Sequence, residues 1–284
     1  MSHQLFRYAD SAITINLDAI IANWRHIDGL SAPTTKTAAM VKANGYGLGN
    51  GAVATSLVKA GCKLFFVANL SEAIELRTIF HQTGHDDLPI MVLHGVQHGQ
   101  EADFKAYKLV PVLNDLEQIS RWRLFAGKTD TSLAALLHFD TGMTRLGLDA
   151  DQADWLIRNR QALEGLELAY VMSHLVSGEL VEDPVNAQQL ANFNKLRSWF
   201  PNIPASLANS AGTLLGTGYH FAMTRPGIAL YGVHPCNVLD SPLQPTFDWQ
   251  ARILQIRDAF AGDKVGYGGT HQLDRDSRIA TLGV

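Results

Sequence analysis

Lys42 stands at the root of a glycine-rich loop, Lys42-Ala43-Asn44-Gly45-Tyr46-Gly47-Leu48-Gly49. The residues before it, Thr37-Ala38-Ala39-Met40-Val41, form a short apolar run of strand character. A cation at the end of a buried strand is costly unless it is paired or neutralised. One reading is a lysine that carries its head out to the rim of the fold. The other is a ligand-binding loop. Gly45, Gly47 and Gly49 would let backbone come close to a bound molecule, and Tyr46 would add a hydroxyl at a short, fixed distance from Lys42.

Other polar residues close later apolar runs: Asp140, His174, Asn209-Ser210 and Arg225. Any one of them reads equally well as a satisfied polar group at a rim. Their gathering at one edge, if the runs are parallel strands, is what argues for a site.

The elements that must position them alternate. Strand candidates, nearly continuous in apolar residues, cover 37–43, 64–70, 89–94, 109–114, 133–140, 166–174, 204–210 and 219–225. Helical patterns lie between them at 52–60, 71–80, 115–125, 151–159 and 186–199, with Ser71-Glu72 and Asn114-Asp115 as N-terminal capping chemistry. Continuous apolar strands alternating with helices predict a parallel sheet covered on both faces. Eight such units over roughly 190 residues suit a (β/α)8 TIM barrel, whose active sites sit at the C-terminal strand ends. An open doubly wound sheet is the alternative, but the loop after Lys42 lacks the G-x-G-x-x-G spacing that fold uses for phosphate. Residues 12–16 alternate like a half-buried strand and lead into a helical pattern at 19–27. Past residue 232 the texture changes to Pro-punctuated loop and alternating strands at 247–257, 264–267 and 278–284, the start of an antiparallel β domain. The expected division is 1–238 for the barrel and 239–284 for the β domain. The last apolar run stops without a turn or cap, so the β domain is expected to be truncated.

The bulk numbers exclude several classes. The 284 residues are 46% hydrophobic with net charge −4 and no block of like charge, and mean hydropathy is zero. That is a globular composition without an electrostatic footprint for nucleic acid or a membrane surface. No apolar run is long enough to span a bilayer. The N-terminus lacks the apolar core of a signal peptide. The two cysteines, Cys62 and Cys236, have neither disulfide nor metal-ligand spacing. A cytoplasmic protein with no metal is the expectation.

Lys42–Gly49 resembles the cofactor-lysine signature of the alanine racemases, pyridoxal 5'-phosphate enzymes built on a (β/α)8 barrel. In that family the lysine holds the cofactor as a Schiff base, which requires a primary amine, and then serves as a base. The resemblance spans the chain from about residue 10 onward. His138-Phe139-Asp140-Thr141-Gly142-Met143-Thr144-Arg145 is similar to the family's strand-five motif, which implies that Arg145 holds the substrate carboxylate. Many members have a lysine two residues before the aspartate, carboxylated to a carbamate that orients the arginine. Here His138 stands there, so Arg145 must be oriented by something else, with a neutral histidine or a bound anion such as chloride as candidates. By the same resemblance His174 lies beside the pyridine ring, and Asn209 and Ser210 belong to the strand-seven cofactor segment, with Ser210 as hydroxyl donor to the phosphate. Gly227 and Ile228 offer it backbone N–H groups, Tyr46 shares the cofactor site, and Arg225 donates to the ring nitrogen. A guanidinium there disfavours protonation of that nitrogen and so favours proton exchange over transamination. Gly262-Asp263-Lys264-Val265-Gly266-Tyr267-Gly268-Gly269 resembles the family's second catalytic motif. Tyr267 is implied as the base on the opposite face of Cα, supplied in trans by the partner of a homodimer.

The resemblance implies an isomerase that interconverts L- and D-alanine for peptidoglycan. The alternatives are a non-catalytic barrel that binds pyridoxal phosphate, an inactive fragment, or a racemase for another amino acid such as serine or lysine.

Overall fold

The computed structural model describes residues 9–129, 131–236 and 241–284. They form two compact units, one of residues 17–246 and one of residues 9–16 with 247–284. In chain order, the strands are β1 (Ser11–Ile15), β2 (Lys36–Thr37), β3 (Ala39–Met40), β4 (Phe65–Val67), β5 (Ile90–Val92), β6 (Leu109–Leu113), β7 (Leu133–His138), β8 (Leu166–Met172), β9 (Ala205–Ser206) and β10 (Met223–Thr224). β11 (Phe247–Ala251), β12 (Ile253–Ala259), β13 (Lys264–Val265), β14 (His271–Gln272) and β15 (Ser277–Leu282) follow. The helices are α1 (Leu17–Asp28), α2 (Asn50–Ala60), α3 (Leu70–Gln82), α4 (Glu101–Ala106), α5 (Leu116–Thr129), α6 (Ala150–Arg158), α7 (Pro184–Arg197) and α8 (Ser210–Leu214).

The larger unit is a closed parallel barrel. Strands β3 to β9 pair in sequence order, every pair parallel. Ala38 divides the first barrel strand into β2 and β3, and β10 pairs in parallel with β2 through Met223↔Lys36. The ring closes where Ala222 N–H donates to Ala205 O at 3.0 Å and Arg225 N–H to Ala208 O at 2.9 Å. Alternation along each strand fills two cores. Ala38, Met40, Phe66, Met91, Val112, Leu136, Met172 and Met223 pack inside the barrel. Ala39, Val41, Phe65, Val67, Ile90 and Val92 face the helices. A strand buried on both sides has no polar face, which is why these runs read as continuous rather than alternating.

Each observed strand is shorter than its apolar run because ladder pairing ends where the neighbouring strand turns away. The run at 219–225 shrinks to Met223–Thr224, since Thr217–Tyr219 is a tight helical turn. The Asn69 side chain accepts from Glu72 N–H at 3.1 Å and caps α3, two residues before the Ser71 that the pattern favours. Asp115 accepts from Gln118 N–H at 2.7 Å at the start of α5, as read. The short helices α4 and α8 have too few turns to show a period.

In the smaller unit β1 pairs antiparallel with β11 through Ile13↔Trp249. β12 pairs with β15, with a bulge near Ile253, and β13 with β14. The single strand expected over 247–257 is broken at Arg252, whose N–H turns to Asp10 O at 2.7 Å.

Candidate active site

The Lys42 loop begins where Val41 N–H makes its bond to Phe66 O at 2.9 Å. The next residues wind the wrong way: Ala43, Asn44, Gly45 and Tyr46 have φ of 51, 52, 62 and 55°. This is one turn of left-handed helix. Each non-glycine residue in it costs about 1 kcal/mol or more. Hydrogen bonds hold it: Gly45 N–H to Val41 O at 3.0 Å, Gly47 N–H to Ala43 O at 2.8 Å, and Asn50 N–H to Asn44 Oδ1 at 2.9 Å. The turn leaves Lys42 half-buried, with Nζ 6.0 Å from the Tyr46 ring centroid. The Tyr46 ring lies against Tyr231 at 4.6 Å between centroids, and Tyr231 donates its hydroxyl to Met40 O at 2.9 Å. The Tyr46 hydroxyl comes so close to Gly227 that a Cβ there would collide with it. Burial raises the Tyr46 phenol above its ordinary range.

Across the barrel mouth, Arg225 is fully buried. Its guanidinium donates to Ser206 Oγ and, at 2.6 Å, to Ser173 O. Burial pulls it down to about 9, which still leaves it charged at neutral pH. Ser210 opens α8 with its oxygen accepting N–H bonds from Gly227 at 2.8 Å and Ala229 at 3.2 Å. Its own proton is thereby free to point to another acceptor. Asn209 Oδ1 caps α8 by accepting from Gly212 N–H at 2.9 Å. Its Nδ2 must then donate to His174 Nε2, 3.3 Å away. Burial first, then the charge of Arg225, holds His174 well below its ordinary pKa.

His138 ends β7. Asn114 Nδ2 donates to Leu93 O and Val112 O, both at 2.9 Å, so Asn114 Oδ1 is the acceptor for His138 Nδ1 at 2.7 Å. That fixes the tautomer, with the proton on Nδ1 and Nε2 left as an acceptor. Burial, helped by Arg225, pulls the imidazole down to about 3. The loop after it is shaped by Asp140, whose carboxylate accepts from Gly142, Met143 and Thr144 N–H at 2.8–2.9 Å. Gly147 returns the chain at φ 108°, where a Cβ would strike Asp140 N and the His138 ring. Arg145 is carried at the exposed crest of that loop.

These elements enclose a cavity of about 460 Å³. Lys42, Tyr46, Arg145, His174, Asn209, Ser210, Arg225, Gly227 and Ile228 all line it, and so does His138. Tyr267 belongs to the smaller unit, where its side chain is fully exposed. Asp140, read as a strand-end polar group of the site, spends its carboxylate on the loop instead.

A model of the alanine racemase N-terminal domain matches residues 15–235, and one of the alanine racemase C-terminal domain matches residues 246–284. The chain belongs to the alanine racemase family. An alanine racemase of Brucella abortus is 42% identical over 97% of this chain and 72% of its own length. One of Agrobacterium fabrum, named as catabolic, is 40% identical over 96% of this chain and 69% of its own. The crystal structure of an alanine racemase from Bartonella henselae with covalently bound pyridoxal phosphate matches with a TM-score of 0.90 at 37% identity. It covers 96% of this chain and 75% of that one.

Within this racemase fold, the groups that hold the lining residues were not evident from motifs. Asn114 fixes His138, Ser206 and Ser173 hold Arg225, and Tyr231 supports Tyr46. Glu72 accepts from the backbone beside Lys42. His94 and Glu179 also face the cavity. Glu72 and Asn114 carried a local signal, as residues at helix starts, but that signal did not reveal these contacts.

Proposed function

We propose that this protein interconverts L- and D-alanine with pyridoxal 5'-phosphate. The observation that carries this reading is the convergence of a lysine amine, a buried guanidinium, a hydroxyl at a helix start and a second, exposed guanidinium on one cavity. That donor set fits the cofactor. Lys42 is the amine that would attach it. Ser210 has a proton to donate, and Ile228 N–H and the Tyr46 hydroxyl lie on the same wall for its phosphate. Arg225 would face its ring nitrogen, with Ser206 and Ser173 keeping the guanidinium in place and His174 beside it. A volume near 460 Å³ lies in the range of small-molecule sites, which run from about 300 to about 1,000 Å³.

The bound cofactor withdraws electrons from the substrate Cα, so that its proton becomes removable near neutral pH. Every other part is played by side chains. Arg145 holds the substrate carboxylate, steadied by the neutral Nε2 of His138 rather than by a carbamate. Lys42 takes or returns the proton on one face of Cα, and Tyr267 does so on the other. Arg225, charged at neutral pH, would disfavour protonation of the ring nitrogen and so favour proton return over transamination. The larger unit, 17–246, is assigned the cofactor and the smaller unit the second base; the expected division at 238/239 differs because residues 11–15 pair with 247–251. Tyr267 acts in trans in a homodimer. The setting is the cytoplasm, and the product D-alanine serves peptidoglycan. The Tyr267 segment argues for catalysis over a barrel that only binds the cofactor.

Replacing Tyr267 with Phe tests the two-base scheme. The two directions of racemisation, assayed separately with D- and L-alanine in deuterated water, are expected to lose wash-in of solvent deuterium unequally. Equal, small losses in both would count against Tyr267 as a base.

A further inference from the structure

Glu72 occupies the third position of α3, after the cap residue Asn69. A glutamate there commonly reaches back to the N–H of the cap residue itself. In this protein it reaches elsewhere. Oε2 accepts from Ala68 N–H at 2.7 Å, just past β4, and Oε1 accepts from Ala43 N–H at 2.8 Å. Ala43 is bonded to Lys42 and is the first residue of the left-handed turn. One carboxylate thus joins the start of α3, the end of β4 and the residue after the reactive lysine. The carboxylate lies at the positive end of the helix, and a charged acceptor makes the stronger bond. The other bonds that shape the turn, from Gly45, Gly47 and Asn50, stay within residues 41–50. They wind the turn, while Glu72 fastens it to the next βα unit. Ala43, Asn44 and Tyr46 sit in a backbone region that L side chains rarely adopt. Such a conformation persists only when its surroundings enforce it.

We propose that Glu72 is a positioning residue for Lys42. Its carboxylate clamps the left-handed turn against β4 and so sets where the Lys42 amine stands in the cavity. The consequence for catalysis rests on the reading of Lys42 as the cofactor lysine; the clamp itself does not.

The test uses the full chain and three variants. Glu72→Ala removes both bonds, and Glu72→Gln keeps a single acceptor oxygen. Asn69→Ala removes the helix cap while leaving the contact to Ala43. Two readouts are taken: hydrogen exchange at the Ala43 amide, and the rate at which borohydride fixes pyridoxal phosphate on Lys42. For Glu72→Ala, exchange should quicken and fixation should slow by about tenfold, the loss expected for a hydrogen bond to a charged group. Glu72→Gln should fall between, and it carries the test if Glu72→Ala does not fold. Asn69→Ala should lower the thermal midpoint yet leave both rates near those of the parent. Equal effects from Glu72→Ala and Asn69→Ala, or unchanged exchange at Ala43, would overturn the proposal. If the parent itself takes no cofactor at Lys42, the reading of Lys42 fails, and exchange at Ala43 alone decides the clamp.

Discussion

His138 is neutral at working pH because it is buried and because the charge of Arg225 stands near it; Asn114, which can only accept, fixes the tautomer. Its pKa, ordinarily 6.5, falls to about 3 in the folded chain. The unfolded chain therefore binds a proton as the pH drops below about 6.5, and the folded chain does not until about 3. A depressed folded pKa means that stability is intact above the unfolded value and declines as acid is added, by about 1.4 kcal/mol per pH unit for each such group. His174, lowered in the same direction, adds to the decline. A His138→Gln variant should lose stability less steeply between about pH 6 and about pH 4 than the parent, measured by thermal unfolding. Parallel curves would show that His138 is not held neutral. At this scale the sequence was partly legible. Arg145, Arg225 and Ser210 stand in local motifs, and all three reach the cavity. Asn114, Ser206 and Ser173 were not legible, since each matters only through a partner 19 to 52 residues away.

Two turns at the barrel mouth depend on each other. The left-handed turn after β3 pushes the Tyr46 ring toward the loop after β10, and Gly227 is the residue that admits its hydroxyl. Gly227→Ala should displace Tyr46 and weaken pyridoxal phosphate binding by roughly tenfold, with a smaller change in thermal midpoint, because a Cβ can be relieved only by moving the ring or the loop. Unchanged cofactor affinity in a titration would contradict this coupling. Element order was the most legible feature of the chain, because strands buried on both faces announce themselves as continuous apolar runs. Element ends were less so. The cap of α3 falls at Asn69 rather than Ser71, and the strand read over 247–257 breaks at Arg252. The partner of β1, which is β11, lies more than 230 residues away, and no local pattern specifies such a pairing.

In the proposed homodimer, each site takes Lys42 from one subunit and Tyr267 from the other. Two inactive variants should then rescue each other. Mixed under conditions of subunit exchange, Lys42→Ala and Tyr267→Phe chains would form hybrid dimers with one intact site each. Activity should return to about a quarter of the parent's if assortment is random. No recovery, with exchange verified by differently tagged chains, would place both bases in one subunit or remove Tyr267 from the mechanism. The exposed apolar side chains of the smaller unit, among them Trp249, Ile256 and Phe260, show why a sequence reading of that segment stops at strands. Their periodicity marks a sheet but does not say what covers it.

Lys42 is the residue on which the proposed chemistry depends, as the holder of pyridoxal phosphate. The most direct measurement is the absorbance spectrum of the purified chain with that cofactor, before and after borohydride, followed by peptide mapping. A band characteristic of the lysine-bound cofactor, fixed by reduction onto Lys42 and absent in Lys42→Ala, is the predicted result. Reduction that labels a different lysine, or none, would contradict the account at its centre.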